Sequence, residues 1–262
     1  MLTDCSVCNA RSVVRRTSLN DNLNNLWESL DATGAKTVIR YIGVVLLQLI
    51  LASGSSLCGT IAAESQTPKP LEEGFRTLFD GTSFDEEWEG NREWFRVADG
   101  IIIAGSLEKT IPHNEFLCTK KHFENFELRL EVKLRGEGNN AGVQFRTERI
   151  PNNTEVSGYQ ADVGNAFKRS VWGALYDESR RKKMLAEGPA ESVAKWTKEG
   201  DWNELFIVAS GSKIKLFLNG NQTIDYVEED ASIAKRGIIG LQIHSGPPTE
   251  ALYRNIRIKE AK

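Results

Sequence analysis

Cysteine, histidine and methionine are scarce: the 262-residue chain holds four, three and two of them. Four cysteines are too few to staple a disulfide scaffold. Cys5, Cys8 and Cys58 all precede residue 63, which leaves Cys118 alone in the remainder. Cys5-x-x-Cys8 has no second Cys/His pair beside it, so it is a weak zinc signal. His113, His122 and His244 lack the spacing of a helical zinc motif. P-loop, dinucleotide glycine fingerprint and Gly-x-Ser-x-Gly elbow are all missing, which removes most common enzyme classes. An excess of one charge is missing too. Lys plus Arg is 33 against 36 Asp plus Glu, a net −3, which argues against broad nucleic-acid binding.

A membrane-spanning run is also lacking. The apolar stretch at 42–52, interrupted by Gly43 and Gln48, is well short of the ~20 residues a spanning helix needs. Arg40 precedes it and small residues follow it to Ala63. A positive flank, a short apolar core and a small-residue exit read as a secretory signal at 41–63. Residues 1–40 are then an N-terminal extension absent from the mature protein, and 64–74, with Pro68 and Pro70, a linker. This reading expects a secreted protein with no stable membrane span in its mature chain.

What is present, at 40% hydrophobic and 26% charged, is the mix of a folded domain. Phe126, Leu128, Leu130, Val132 and Leu134 alternate with charged residues, the period of a half-buried strand. Further strands are expected at 94–97, 100–104, 116–120, 141–147, 156–163, 170–176, 202–209, 214–218, 223–227, 237–244 and 252–259. Ser210-Gly211-Ser212 and Asn219-Gly220-Asn221 mark tight turns. Helical character is confined to 179–186 and 190–196. A dozen short strands predict an all-β domain over 75–262, a jelly roll of two antiparallel sheets.

Polar and aromatic residues crowd the middle of the chain. On strands, Gln160 and Asp162 share one face, and Gln144 and Arg146 share another with Gly142. With Trp172, Tyr176, Asp177, Glu178 and Arg180 they outline the concave face of a sugar-binding sandwich. Flat aromatics stack on pyranose faces, while amides, carboxylates and Arg meet hydroxyls. Gln242 and His244 share a face of their strand, and His244 has the chemistry of a base, acid or metal ligand.

Ordered short motifs carry a resemblance to a known family. Phe79-Asp80-Gly81-Thr82, Trp94-x-Val-x-Asp-Gly-x-Ile, Asn125-Phe126-Glu127-Leu128 and Asn140-Ala141-Gly142-Val143-x-Phe145-Arg146 come first. Gly173-Ala174-Leu175-Tyr176, Trp202-Asn203, Leu218-Asn219-Gly220, Gly240-Leu241-Gln242-Ile243-His244 and Arg254-Asn255-Ile256 follow. The set, from Phe75 to Lys259, resembles the 3-keto-disaccharide hydrolase domain family, also described as 3-keto-glucoside-1,2-lyase/3-keto-2-hydroxyglucal hydratase. The resemblance implies a concanavalin A-like jelly roll in a secreted or periplasmic bacterial protein, a planctomycete-type member. Where many members read Gly-Tyr-Glu-x-Gln, this chain reads Gly158-Tyr159-Gln160-Ala161-Asp162, which moves the acid about 7 Å along the strand.

The resemblance implies a glycoside or oligosaccharide substrate whose C3 is a ketone. Such a ketone acidifies the C2 proton, so removal of that proton and elimination at C1 cleave the glycoside, and water then adds. Asp162 or His244 is the expected base, Arg146 the enolate partner, and Glu178 or Asp177 the acid. No cofactor is certain; a divalent metal ion on Asp162 and His244 is an alternative electrophile. Gln144, Gln160, Trp172, Tyr176, Asp177, Arg180 and Gln242 are the expected sugar contacts. The alternative function is a lectin-like module that binds sugar without chemistry.

Overall fold

The computed structural model describes residues 71–261. The extension, the signal segment and most of the expected linker lie outside them. In chain order the early elements are β1 (Arg76–Thr77), β2 (Trp88–Glu89), β3 (Phe95–Ala98), β4 (Ile101–Ser106), β5 (Glu115–Thr119), β6 (Phe126–Gly136), β7 (Asn140–Arg149) and β8 (Val156–Ala166). Then come β9 (Arg169–Ser170), β10 (Leu175–Glu178), β11 (Lys183–Ala186), α1 (Ala190–Trp196), β12 (Asn203–Ser210), β13 (Lys213–Leu218), β14 (Asn221–Val227), β15 (Ile238–Ile243) and β16 (Thr249–Glu260). No helix among the described residues is long and apolar enough to cross a membrane.

Two antiparallel sheets face each other. Sheet I runs β14-β13-β12-β6-β16-β4-β3, with β1 on β16. Sheet II runs β11-β10-β8-β7-β15-β5-β2, with β9 on β8. Strands distant in sequence lie side by side, β6 against β16 and β7 against β15, so the chain crosses between sheets as in a jelly roll. The alternation in β6 places Leu128, Leu130 and Val132 inward, where they meet Val143, Phe145, Tyr159 and Ala161 of sheet II in one core. Phe126 of sheet I meets Phe145 of sheet II edge to face at 6.4 Å, and Phe145 stacks on Tyr159 at 5.6 Å. At the β13–β14 turn, Asn219 and Gly220 both have positive φ, 49° and 82°, the backbone a type I′ hairpin requires.

Two local expectations are corrected. Residues 179–186 are not helical: a turn leads into β11, which pairs with the edge of β10 while Leu185 and Ala186 pack on the core. Edge pairing and apolar packing outweigh the local propensity. The strand expected at 170–176 is broken, because Gly173 at φ 68° turns the chain between β9 and β10.

The end of the β7–β8 hairpin bends across the outward face of sheet II. The β7–β8 register shifts between Phe145 and Glu148, and Arg146 there has φ 48°. Such a bulge increases twist and re-aims side chains. Arg149 beyond it donates to the carbonyls of Glu89 on β2 (2.9 Å) and Phe116 on β5 (3.5 Å). Val156 is buried with Phe116, Cys118 and Ile238. Because β15 separates β7 from β5, these contacts require the hairpin to fold over the sheet as a strap.

Candidate functional site

Beneath and beside the strap lies a row of amides ending on a carboxylate. Registry sets Gln144 opposite Gln160, Gly142 opposite Asp162, and Gln242 opposite Gly142. Their neighbours Val143, Ala161 and Leu241 face the core, so the polar side chains share the outward face. Thr147 Oγ1 donates to Gln144 Oε1 (3.0 Å), Gln144 Nε2 to Gln160 Oε1 (2.5 Å), and Gln160 Nε2 to Asp162 Oδ1 (2.5 Å). An ionised carboxylate only accepts, so it orients both amides along the relay. Gly142 makes the room: a Cβ there would collide with the Gln160 side chain, its Cγ lying 2.7 Å away.

Burial dominates the chemistry of Asp162, which is 5% exposed. Desolvation pushes its carboxyl up from 3.8 to about 7, and the charges of Glu178 and Glu187 push the same way. The Gln160 hydrogen bond and the Arg169 charge oppose the rise without cancelling it. A carboxyl poised near neutrality takes or gives a proton at working pH.

Other titratable groups stand around this floor. Tyr176 pairs with Gln160 across β8 and β10, with Glu178 two residues on and outward too. Burial raises Glu178, the neighbouring Glu155 raises it further, and the Ser179 amide and His244 pull it back. Asn114 joins the strap to the end of β15. It donates to Glu155 Oε1 (3.1 Å) and accepts from the Ser245 amide (2.9 Å). His244 Nδ1 lies 2.7 Å from the Ser245 carbonyl. A carbonyl only accepts, so Nδ1 carries hydrogen in that contact. Gln242 is fully buried, and neither its Nε2 nor its Oε1 has a partner. A buried amide left unmet is costly, typically ~1–3 kcal/mol.

Four residues expected in this row are elsewhere. The bulge turns Arg146 away from Gln144: its Nε and Nη2 donate to the Glu124 carbonyl (2.9 and 2.7 Å) and its Nη1 to that of Gly211 (2.7 Å). Its donors are committed to holding loops at the end of sheet I, and none of these bonds points to the Asp162 row. Trp172 is 3% exposed within the core and offers no platform to a sugar. Asp177 points inward with Leu175, because β10 alternates, and is fully buried. Arg180 Nε (2.9 Å) and Arg181 pair with Asp177, and the Arg180 guanidinium sits 4.5 Å over the Tyr159 ring. Arg181 continues to Glu228, which also accepts from Tyr159 Oη (2.6 Å). Asp177 and Arg180 therefore belong to an internal ionic network.

A metal centre on Asp162 and His244 does not fit the donor set. Among the described residues no group of three or more His, Cys, Asp or Glu side chains is placed to hold an ion. Cys118, buried beneath the strap, has its thiol pushed up to about 12 by desolvation. Asn114 and Glu155 were missed by sequence reading. They lie in connecting segments with no periodic signal: the β5–β15 pairing brings Asn114 to the end of β15, and the bent strap brings Glu155 to Asn114.

Fold and site together define an antiparallel jelly-roll sandwich of the concanavalin A-like class, with a desolvated carboxylate on the outward face of one sheet. The chain belongs to the 3-keto-alpha-glucoside-1,2-lyase-like domain family, whose model matches residues 74–259. Among solved structures it is similar to a "putative glycosyl hydrolase" from Parabacteroides distasonis, at 17% identity and TM-score 0.56, covering 75% of this chain and 100% of that one. A second such protein from the same organism matches at 21% identity and TM-score 0.51, over 71% of this chain and 99% of that one. At these identities the likeness concerns the fold. No curated protein matches the sequence.

Proposed function

We propose that this domain is a carbohydrate-active enzyme that cleaves glycosides of 3-keto sugars by elimination. The observation that carries the reading is Asp162: a buried carboxyl brought to about 7, at the end of an oriented amide relay. Asp162 takes the C2 proton, which the C3 ketone acidifies. The C2–H electrons form the C1=C2 bond as the C1–O bond breaks, and the departing oxygen takes a proton from Glu178, which burial keeps inclined to hold one. Water then adds to the unsaturated sugar. Elimination needs no protein nucleophile and no spaced carboxylate pair of the glycosidase kind, in keeping with a chain that has no nucleophile motif.

The test mixes the protein with 3-keto-trehalose, with and without EDTA, and follows glucose release. Release by wild type, unaffected by EDTA and lost in Asp162→Asn, supports the scheme. Turnover retained by Asp162→Asn removes Asp162 as base, and release abolished by EDTA moves the electrophile to a metal. Saturable binding without release makes the domain a sugar-binding module, a reading the amide-rich floor also suits.

A further inference from the structure

With Trp172 in the core, Tyr176 opposite Gln160 is the aromatic side chain on the outward face near Asp162, enough for one pyranose; a further ring needs another platform. The β8–β9 hairpin supplies a candidate. Its tip, Phe167-Lys168, joins Ala166 to Arg169, and both tip residues have positive φ, 51° and 62°. That is the backbone of a type I′ turn, which Asn-Gly adopts without strain and a bulky side chain does not. Phe167 is nevertheless there and is 67% exposed, the most exposed large apolar side chain among the described residues. A single exposed apolar residue needs no explanation; one held on a strained turn at the end of the strand that carries Asp162 does. The Arg169 guanidinium carbon lies 5.5 Å from the Phe167 ring centroid, and Arg169 Nε donates to Glu187 (3.1 Å). Arg169 and Glu187 both act electrostatically on Asp162. The ring is therefore steadied on one side by a cation at the edge of the Asp162 site, with its remaining surface in solvent.

We propose that Phe167 is the stacking platform for a second sugar ring of the glycoside, the one next to the ring that reacts at Asp162. Phe167 is five residues beyond Asp162, roughly 16 Å at ~3.3 Å per residue of extended chain. That backbone span is an upper bound, and the Asp162 and Phe167 side chains reach across part of it; what remains exceeds one pyranose, so the ring on Phe167 lies next to the reacting one rather than on it. The stacked face is the apolar C–H face of the sugar, and Arg169 and Glu187 beside it match hydroxyls. The inference rests on the proposed 3-keto-glycoside cleavage and extends it to substrate length.

The test measures kcat/KM for 3-keto-trehalose and for methyl 3-keto-α-glucoside, which lacks a second ring, in wild type, Phe167→Ala, Phe167→Tyr and Phe167→Asn. The expected result is a disaccharide-to-methyl-glycoside ratio about fivefold to tenfold lower in Phe167→Ala and Phe167→Asn, and a ratio preserved in Phe167→Tyr. Asn accepts positive φ, so Phe167→Asn keeps or raises Tm while losing the ratio, which separates stacking from folding. A ratio unchanged in Phe167→Ala, or an equal loss on both substrates, overturns the inference alone. Wild type that cleaves neither substrate overturns the functional reading, and the inference falls with it.

Discussion

Asp162→Asn is expected to stabilise this protein at alkaline pH while abolishing its chemistry. The magnitude comes from burial. Moving a carboxyl from 3.8 to about 7 penalises the ionised folded state by on the order of 4 kcal/mol. The sign is set by where each state releases its proton. Below 3.8 both folded and unfolded chains hold it, and there is no penalty. Between 3.8 and about 7 the unfolded chain has released the proton and the folded one has not, so wild-type stability falls as pH rises. Above about 7 the full penalty stands. Asn cannot ionise, and its Oδ1 still accepts from Gln160 Nε2, so the amide relay survives. All other titrating groups are shared and cancel. The gap between variant and wild type therefore widens by about 3 kcal/mol between pH 5 and pH 8. Urea unfolding at both values, followed by tryptophan fluorescence, reads this as a relative midpoint change of about 1 M or more. A gap that stays constant, or narrows toward alkaline pH, refutes the argument that Asp162 is a desolvated acid, whatever the substrate.

Three further expectations follow from the same geometry. Gly142→Ala displaces the Gln160 amide, breaks two buried hydrogen bonds and costs about 2–4 kcal/mol; because the Gln160 bond favours the ionised form of Asp162, its loss moves the acid limb of the cleavage pH profile upward, which a pH–rate series checks. Arg146→Met frees the carbonyls of Glu124 and Gly211 and destabilises by about 3–5 kcal/mol in denaturant, yet kcat per folded molecule stays within about twofold. Trp172→Phe removes an indole N–H that has no partner, so it costs under ~1.5 kcal/mol in unfolding experiments and leaves sugar KM unchanged.

Local pattern carried the fold because sheets are periodic. In β6 every second residue is apolar, and a strand with one face in a core has no other way to be written. Ser210-Gly211-Ser212 and Asn219-Gly220 announced their hairpins for the same kind of reason: the turn backbone restricts the residue types. The same alternation placed Gln160 and Asp162 on one face, and the relay between them now accounts for how this chain accommodates its displaced acid.

Alternation fails where a strand is irregular. A one-residue shift at the β7 bulge was enough to turn Arg146 from the polar face to the loops of sheet I. The phase of β10 was equally invisible, because Asp177 and Glu178 are both acidic and only strand registry sends one into the core. Trp172 reads as a platform in sequence and is core in three dimensions, since Gly173 turns the chain beneath it. Sequence by itself determined two facing sheets and a carboxylate beside an amide, because those follow from side-chain period and turn chemistry within a few residues. Tertiary structure alone decided that Asp162 is dry, that Gln242 has no partner, and that Asn114 links Glu155 to Ser245 at the end of β15. Each of these depends on strands and loops far apart in the chain meeting on one face, and desolvation belongs to the assembled face rather than to any segment of it.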